Sequence, residues 1–176
     1  MHLRRLARRV RKEIGAFLVG RDGVSAIEFS FVAIPFFFLL FAILETGYVF
    51  LIAIVLEGAA ADGARQIRTG VVQQDANPTG AFDTLVCNGM LSLLNCSRLN
   101  FDARNFADFA SITSAAPPTT KGTTFSTGTP GNIVVVRVAL TWTYMTPFLR
   151  SALVAAGGTG NTELIASVVV QTEQYL

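Results

Sequence analysis

The side chains with the clearest chemical potential are two thiols, Cys87 and Cys96, the only cysteines in the chain. Such a pair can form a disulfide, hold part of a metal site or supply a nucleophile. A straight helix would hold their Cα atoms about 13 Å apart, so a disulfide requires the chain to turn between them, and Asn95 is a suitable turning point. Outside the cytoplasm two cysteines are usually bridged, and a loop this short would gain about 2–3 kcal/mol of stability.

Other catalytic groups are sparse in this sequence. The single histidine, His2, lies in a basic N-terminal segment, so neither a thiol nucleophile nor a metal pair at the cysteines has a histidine close by in sequence. No pair of carboxylates stands out as a general acid and base. The sequence therefore predicts no catalytic residues, no metal, no cofactor and no small-molecule substrate, and it indicates that the protein is not an enzyme.

Two carboxylates, Glu28 and Glu45, interrupt a stretch that is otherwise uncharged. Residues 24–56 contain no Lys, Arg, Asp, Asn or Gln. A helix over this stretch would be about 50 Å long, whereas about 20 residues cross the hydrocarbon layer of a bilayer. We interpret it as a membrane-spanning helix, because burying it in a soluble core would need more protein than the 120 residues after Leu56 provide.

The two glutamates constrain how this helix sits in the membrane. An ionised carboxylate deep in lipid costs a few kcal/mol unless it is paired or close to an interface. Glu45 would lie about 25 Å beyond Glu28 along the helix axis, so the two cannot both be deep. We expect one near each membrane surface, with Glu45 on the far side. The alternative is a span shifted toward Leu56, in which Glu45 is buried in lipid.

The charges that flank the helix predict its orientation. Residues 1–23 carry seven basic and two acidic side chains, a net charge of +5, and the rest of the chain carries −3. Basic residues stay on the cytoplasmic side, so the N-terminus should be cytoplasmic and the C-terminal part periplasmic. A secretory signal cleaved near Ala61 is a competing interpretation, but the apolar region is far longer than the usual 7–15 residues. The Arg-Arg pairs lack the residues that follow a twin-arginine signal.

Helical patterns predict how the long helix ends and which helices follow it. The helix should stop near Gly70, with basic residues in its last turn. Apolar residues at helical spacing between Phe82 and Leu94 predict a short second helix in which Gly89 is a weak point. Thr146 and Pro147 resemble a helix start, ahead of a helical segment that a glycine-rich turn should end.

Alternating apolar residues predict strands in the last part of the chain. Two long strands are expected over 134–145 and 164–175, and a shorter one near 99–103. Residues 113–131 are rich in Thr, Ser, Pro and Gly and should form a surface loop. The predicted fold class is therefore α+β: a long N-terminal transmembrane helix followed by a small antiparallel sheet packed on a helix.

The motif with functional content lies where the basic leader meets the apolar helix. It reads Arg21-Asp22-Gly23-Val24-Ser25-Ala26-Ile27-Glu28-Phe29. A glycine at the end of a polybasic segment, followed by a glutamate inside an apolar helix, resembles the class III signal of type IV pilins, which a membrane prepilin peptidase cuts after the glycine. From Gly23 to Gly70 the chain is similar to the TadE-like family of the tight-adherence (Tad, or Flp) pilus systems, through this start, Pro35 and the exit around Gly63-Ala64-Arg65.

This resemblance implies a domain organisation and a set of partners. Residues 1–23 would be a cytoplasmic leader cleaved between Gly23 and Val24, residues 24–70 a transmembrane and assembly helix, and residues 71–176 a periplasmic head. The expected partners are the membrane, the prepilin peptidase, other Tad pilins and pseudopilins, and the pilus assembly platform. The expected location is the bacterial inner membrane, from which the protein could be incorporated into an extracellular pilus.

Two departures from the major Flp pilins refine the resemblance. Phe29 follows the glutamate where major pilins usually have tyrosine, and the chain is much longer than a major pilin. Both features indicate a minor pilin or pseudopilin that serves pilus assembly and surface adherence. The alternative is a permanently anchored single-pass protein that is not processed and whose periplasmic head binds partners or surfaces. Nucleic-acid binding is not supported, because the head is acidic and membrane topology explains the basic run.

Glu28 and Pro35 have specific roles under this interpretation. Cleavage would create a free amine at Val24, and a charge pair at about 4 Å with an effective dielectric of 20 is worth about 4 kcal/mol. We expect Glu28 of one subunit to pair with the Val24 amine of a neighbour and so to fix the stagger between helices. The alternative is that Glu28 only lies among the cytoplasmic headgroups. Pro35 removes one helical hydrogen bond and either kinks the helix or is simply tolerated.

Overall fold

The computed structural model describes residues 22–114 and 116–173, and its first element is a long helix, α1 (Asp22–Arg68). The helix assignment continues without a break through Pro35. It ends where the sequence predicts, because Gly70 adopts a φ of 82°, a left-handed conformation that favours glycine. The amide of Val71 donates back to the carbonyl of Gln66 at 3.1 Å, which closes the last turn.

Two shorter helices follow. Helix α2 (Pro78–Gly89) starts with a proline in its first turn, and the side chain of Asn77 accepts a hydrogen bond from the Gly80 amide at 3.1 Å. It is shorter than predicted because it ends at Gly89, and Leu91 then takes a positive φ of 51°. Helix α3 (Pro147–Ala155) starts and ends as predicted.

The strands form one four-stranded sheet in the order β2-β1-β3-β4. Their bounds are β1 (Leu99–Phe106), β2 (Lys121–Phe125), β3 (Ile133–Thr143) and β4 (Asn161–Gln171). The central strand β3 pairs antiparallel with both β1 and β4, without a break in register. The three strands predicted from apolar alternation are therefore present.

Strand β2 corrects two expectations. It lies inside the segment predicted to be loop, and it pairs with β1 in parallel, so the sheet is mixed and not purely antiparallel. Its five residues lack apolar alternation, and only Phe125 contributes a large apolar side chain. That ring packs against Phe82 and Phe101 at centroid distances of 5.4 and 6.1 Å. The strand is thus held by tertiary contacts that no local pattern shows, and the connection from β1 is long enough to return it in parallel.

The described residues divide into two compact units, the first ending at Ile43 and the second beginning at Leu44. The second unit contains the C-terminal part of α1 together with the other helices and the sheet. Its core combines apolar residues of α1 and α2 with those from one face of the sheet. The largest fully buried side chains are Phe82, Phe101, Ile52, Leu56, Ile67, Met90, Leu99, Leu140, Val72, Val86, Val134 and Val136.

Two further interactions stabilise this unit. Cys87 and Cys96 form a disulfide with Cα atoms 5.6 Å apart, which confirms the predicted bridge. The chain turns between them at Leu91 and Ser92, which take positive φ values of 51° and 60°, earlier than the predicted turning point Asn95, whose side chain accepts a hydrogen bond from the Ser97 amide at 3.0 Å. Asp102 and Arg137, which face each other across β1 and β3, are buried and form a bidentate ion pair.

Candidate processing and assembly site

The predicted cleavage bond lies at the start of α1. Gly23 and Val24 fall in its first turn, one residue after the helix begins at Asp22. The leader residues before Asp22, including His2 and all seven basic residues of the cluster, lie outside the described part of the chain. The site therefore consists, among the described residues, of a helix start whose side chains from Val24 onward are exposed.

Glu28 occupies the turn that follows Val24. Its side chain is exposed, and the four-residue spacing places Val24 and Glu28 on the same face of the helix, about 6 Å apart along the axis. A neighbouring helix that contacts this face would meet both residues. The arrangement is compatible with the predicted pairing between subunits, and that pairing stays a prediction.

The side chains of the first unit present an apolar surface. None of residues 24–43 is buried, and most are large and hydrophobic. The exposed large hydrophobic residues are Val24, Ile27, Phe29, Phe31, Val32, Ile34, Phe36, Phe37, Leu39, Leu40, Phe41 and Ile43. Because these residues are nearly consecutive, they surround the helix and do not form one stripe, so the surface requires lipid or other apolar helices as its environment.

Pro35 lies in the middle of this apolar surface. It has no amide hydrogen, so the carbonyl of Phe31 lacks its usual helical donor. The helix continues on both sides, and the predicted kink at Pro35 stays a prediction. One turn earlier, the Ser30 hydroxyl donates to the Ala26 carbonyl at 2.7 Å, so this polar side chain is satisfied within the helix.

Glu45 has a role that sequence reasoning missed. Its side chain is only 7% exposed, and its carboxylate accepts hydrogen bonds from the amides of Met145 and Thr146 at 2.5 and 2.9 Å. These amides precede α3, where helical N–H groups have no partner within the helix. The sequence predicted Thr146 and Pro147 as the helix start, but Thr146 makes no side-chain capping hydrogen bond, and no local pattern indicated that Glu45 would accept from these amides.

The described residues show no arrangement suited to metal binding. Over residues 22–114 and 116–173, no three His, Cys, Asp or Glu side chains are grouped closely enough to hold an ion. Both cysteines are consumed by the disulfide.

A long apolar helix that precedes an α+β unit is consistent with a single-pass membrane anchor. Within the described residues, α1 is the one helix long and apolar enough to cross a membrane. Comparison with protein families then gives a more specific assignment: residues 23–65 match the family described as TadE-like protein. The match confirms the resemblance predicted from the sequence. No curated protein and no solved structure gives a significant match.

The first and last residues of the matched segment can be placed on α1. It begins at Gly23, the residue after which cleavage is predicted, and it ends at Arg65, within α1. It therefore covers both the exposed apolar part of the helix and most of the part that contributes to the core. TadE-like proteins are pilus-associated, pilin-like proteins of a structural and non-enzymatic kind.

Proposed function

We propose that the protein is a minor pilin or pseudopilin of a Tad (Flp) type IV pilus, cut by a prepilin peptidase after Gly23 and required for pilus assembly and surface adherence. The single observation that supports this most is the start of the family match at Gly23, in the first turn of an exposed apolar helix. The glycine, the helix start and the apolar surface thus coincide at one point of the chain.

Processing would prepare this helix for assembly. Cleavage after Gly23 removes the basic leader and leaves a free amine on Val24. The apolar side chains of residues 24–43 could then pack against homologous helices once the protein leaves the bilayer. Glu28 of one subunit pairs with the Val24 amine of a neighbour, because both lie on one helix face and the pair offsets the cost of a carboxylate in an apolar environment.

The proposed topology places the N-terminus in the cytoplasm and the second unit in the periplasm. The excess of basic residues before Gly23 supports this orientation. The disulfide between Cys87 and Cys96 also supports it, since such bridges persist in oxidising compartments. In the membrane the partners are the prepilin peptidase, other Tad pilins and the assembly platform.

The test is the intact mass and N-terminal sequence of the protein isolated from membranes with and without the prepilin peptidase. We expect a start at Val24 only when the peptidase is present. A Gly23→Leu variant should remain uncut, whereas Gly20→Leu, a matched change three residues earlier, should be cut normally. A start at Met1 in the presence of the peptidase would contradict the proposal and favour a permanently anchored binding or adhesion protein. A start near Asp62 would indicate a secreted head.

A further inference from the structure

Strand β4 forms an edge of the sheet that lacks the usual protection against pairing with another chain. Within residues 22–114 and 116–173 it pairs with one neighbour, β3, along its eleven residues and without a break in register. It contains neither proline nor a basic side chain, and Glu163 is its only charged residue. A long edge of this kind is a template for pairing with a further strand.

The opposite edge of the sheet, strand β2, is protected. It has only five residues, and its pairing with β1 contains a shift of register. It also carries Lys121, whose ammonium group lies 2.8 Å from the carboxylate of Asp83. Short strands, register shifts and lysines are the devices that prevent pairing at an edge. The contrast between the two edges indicates that β4 serves an interaction.

Hydrogen bonds at the end of β4 show which of its backbone groups are available for pairing. Thr172 exchanges backbone hydrogen bonds with Gly131 and Asn132, at 2.9 and 3.0 Å, so its amide and carbonyl face β3. Backbone groups alternate in direction along a strand, so the odd-numbered residues of β4 direct theirs away from β3. The amide of Glu173 follows this alternation and donates to the carbonyl of Arg68 at 3.0 Å, so the end of α1 closes the edge there.

The outward-directed residues of β4 are self-complementary about Ser167. When a second copy of β4 lies antiparallel with Ser167 opposite Ser167, Ile165 meets Val169 of the other copy. These two apolar side chains are 42% and 45% exposed, so their contact removes apolar surface from water. Glu163 meets the neutral amide of Gln171, so no like charges are opposed. A register centred on Glu163 would instead place two carboxylates opposite each other, which is destabilising.

The space beside Gln171 has room and charge for the glutamate of a second copy. An open cavity of about 350 Å³ lies at this end of β4, lined by Arg68, Val169, Val170, Gln171, Thr172 and Glu173. The Arg68 side chain is 55% exposed and lies 2.7 Å from the carboxylate of Glu173. A guanidinium has five N–H donors, so Arg68 can bind a second carboxylate while it stays paired. This charge complementarity identifies another copy of the same chain as the partner.

We propose that β4 pairs antiparallel with β4 of a second copy, with Ser167 facing Ser167 at the centre. The two four-stranded sheets then join into one continuous sheet. The odd-numbered residues between Glu163 and Gln171 exchange backbone hydrogen bonds across the junction. This inference concerns the second unit alone, and it depends neither on cleavage at Gly23 nor on the pairing of Glu28.

Cysteine cross-linking of the full-length, uncut protein in detergent micelles tests the register. Both native cysteines are bridged, so an introduced thiol is the only free one. Under mild oxidation Ser167→Cys should give a disulfide-linked dimer, because Cα atoms of a hydrogen-bonded pair lie about 5.5 Å apart. Ile165→Cys alone should not, since its two copies are offset by about 14 Å along the strands. It should cross-link when it is mixed with a Val169→Cys chain.

Thr141→Cys is the matched control for this experiment. Thr141 is exposed and lies opposite Glu163 on the same sheet, but in β3, so in the dimer its two copies are separated by three strand spacings, or about 14 Å. It should therefore stay monomeric. Absence of the Ser167→Cys dimer would overturn the proposal, as would equal cross-linking of Ser167→Cys and Thr141→Cys or of Ser167→Cys and Ile165→Cys alone.

A second measurement starts from the unaltered chain and so does not depend on introduced thiols. Its mass in detergent micelles, determined by light scattering with the detergent subtracted, should be that of a dimer. Val169→Lys adds a positive charge beside Arg68 at both ends of the junction and should weaken dimerisation by about tenfold or more, whereas Thr141→Lys should leave it unchanged. A monomeric unaltered protein, or a dimer of undiminished strength in Val169→Lys, would overturn the proposal.

Discussion

At the scale of single residues, the two carboxylates of the apolar helix have different environments. Glu28 is exposed in the first unit, whereas Glu45 is buried in the second unit and hydrogen-bonded to two backbone amides. A buried carboxylate is tolerated when hydrogen bonds replace its water, and amides before a helix need an acceptor. The same residue type is therefore a buried fold contact at one position and an exposed side chain at the other.

Replacing Glu45 tests its structural role. Glu45→Ala leaves the amides of Met145 and Thr146 without their acceptor, and we expect the free energy of unfolding to fall by about 1–3 kcal/mol. Glu57→Ala changes an exposed glutamate of the same helix and should be nearly neutral. Denaturant unfolding of the protein in detergent micelles measures both. Equal stability of the two variants would show that the hydrogen bonds to Glu45 contribute nothing.

Replacing Glu28 tests the proposed pairing between subunits. Glu28→Gln keeps the shape of the side chain but removes its charge, so the attraction to the Val24 amine of a neighbour is lost. We expect co-assembly with other pilins to be abolished and cleavage after Gly23 to remain largely intact. Co-purification with pilus subunits and N-terminal sequencing are the measurements, with Glu57→Gln as the charge-matched control. Normal assembly of Glu28→Gln would reject the pairing.

At the scale of elements, α1 and α2 approach each other through small residues. A Cβ atom added at Gly63 would lie 2.6 Å from Cε2 of Phe82, and one added at Gly89 would lie 2.7 Å from the Cβ of Ala59. Phe82 cannot move aside easily, since it is fully buried and packs against Phe101 at a ring distance of 5.1 Å. Glycine is therefore required at these positions by packing between helices.

Two glycines of α1 should respond to alanine in opposite directions. Gly63→Ala forces the Phe82 ring to shift in a dense core and should destabilise the protein by about 1–3 kcal/mol. Gly58 has no atom within 4 Å of an added Cβ, so Gly58→Ala should stabilise the helix by about 0.5–1 kcal/mol. Thermal unfolding of the two variants distinguishes these effects. A stabilising Gly63→Ala would contradict the packing described for Phe82.

At the scale of the whole molecule, helix α1 contributes residues to both units. Residues up to Ile43 belong to the first unit, and the remainder of α1 belongs to the second, where Ile52, Leu56 and Ile67 are fully buried. The organisation predicted from sequence divides the chain after residue 70, at the end of the helix. The compact unit defined by contacts begins at Leu44, and the predicted division into membrane helix and periplasmic head stays a prediction.

Two truncated chains test whether the second unit needs the C-terminal part of α1 in order to fold. A chain that begins at Leu44, exported through an added secretory signal, keeps the helix residues of the core and should fold in the periplasm with its disulfide formed. A chain that begins at Val71 loses at least Ile52, Leu56 and Ile67 from the core, each worth about 1.5–3 kcal/mol of burial. That loss is comparable to the whole stability of a domain, so we expect this chain to be unfolded. Resistance to protease measures the difference, and equal resistance would contradict the prediction.

Local patterns in the sequence were sufficient to predict much of the structure of this protein. Charge and hydropathy predicted α1 and its end near Gly70, and apolar alternation predicted β1, β3 and β4. The residues around Gly23 carried the TadE-like resemblance that the family match confirms. Each of these features depends on side chains that are only a few positions apart, so a short segment of the sequence is enough to predict it. The processing site and its pairing with Glu28 stay predictions.

Features that join distant parts of the chain were decided by the tertiary structure. Glu45 meets two amides a hundred residues away, and β2 joins the sheet because Phe125 reaches a core made by Phe82 and Phe101. The C-terminal part of α1 belongs to the second unit for the same reason. Such contacts form only after helices and sheet have packed together, and their free energy comes from burial and hydrogen bonding between segments that no local pattern connects.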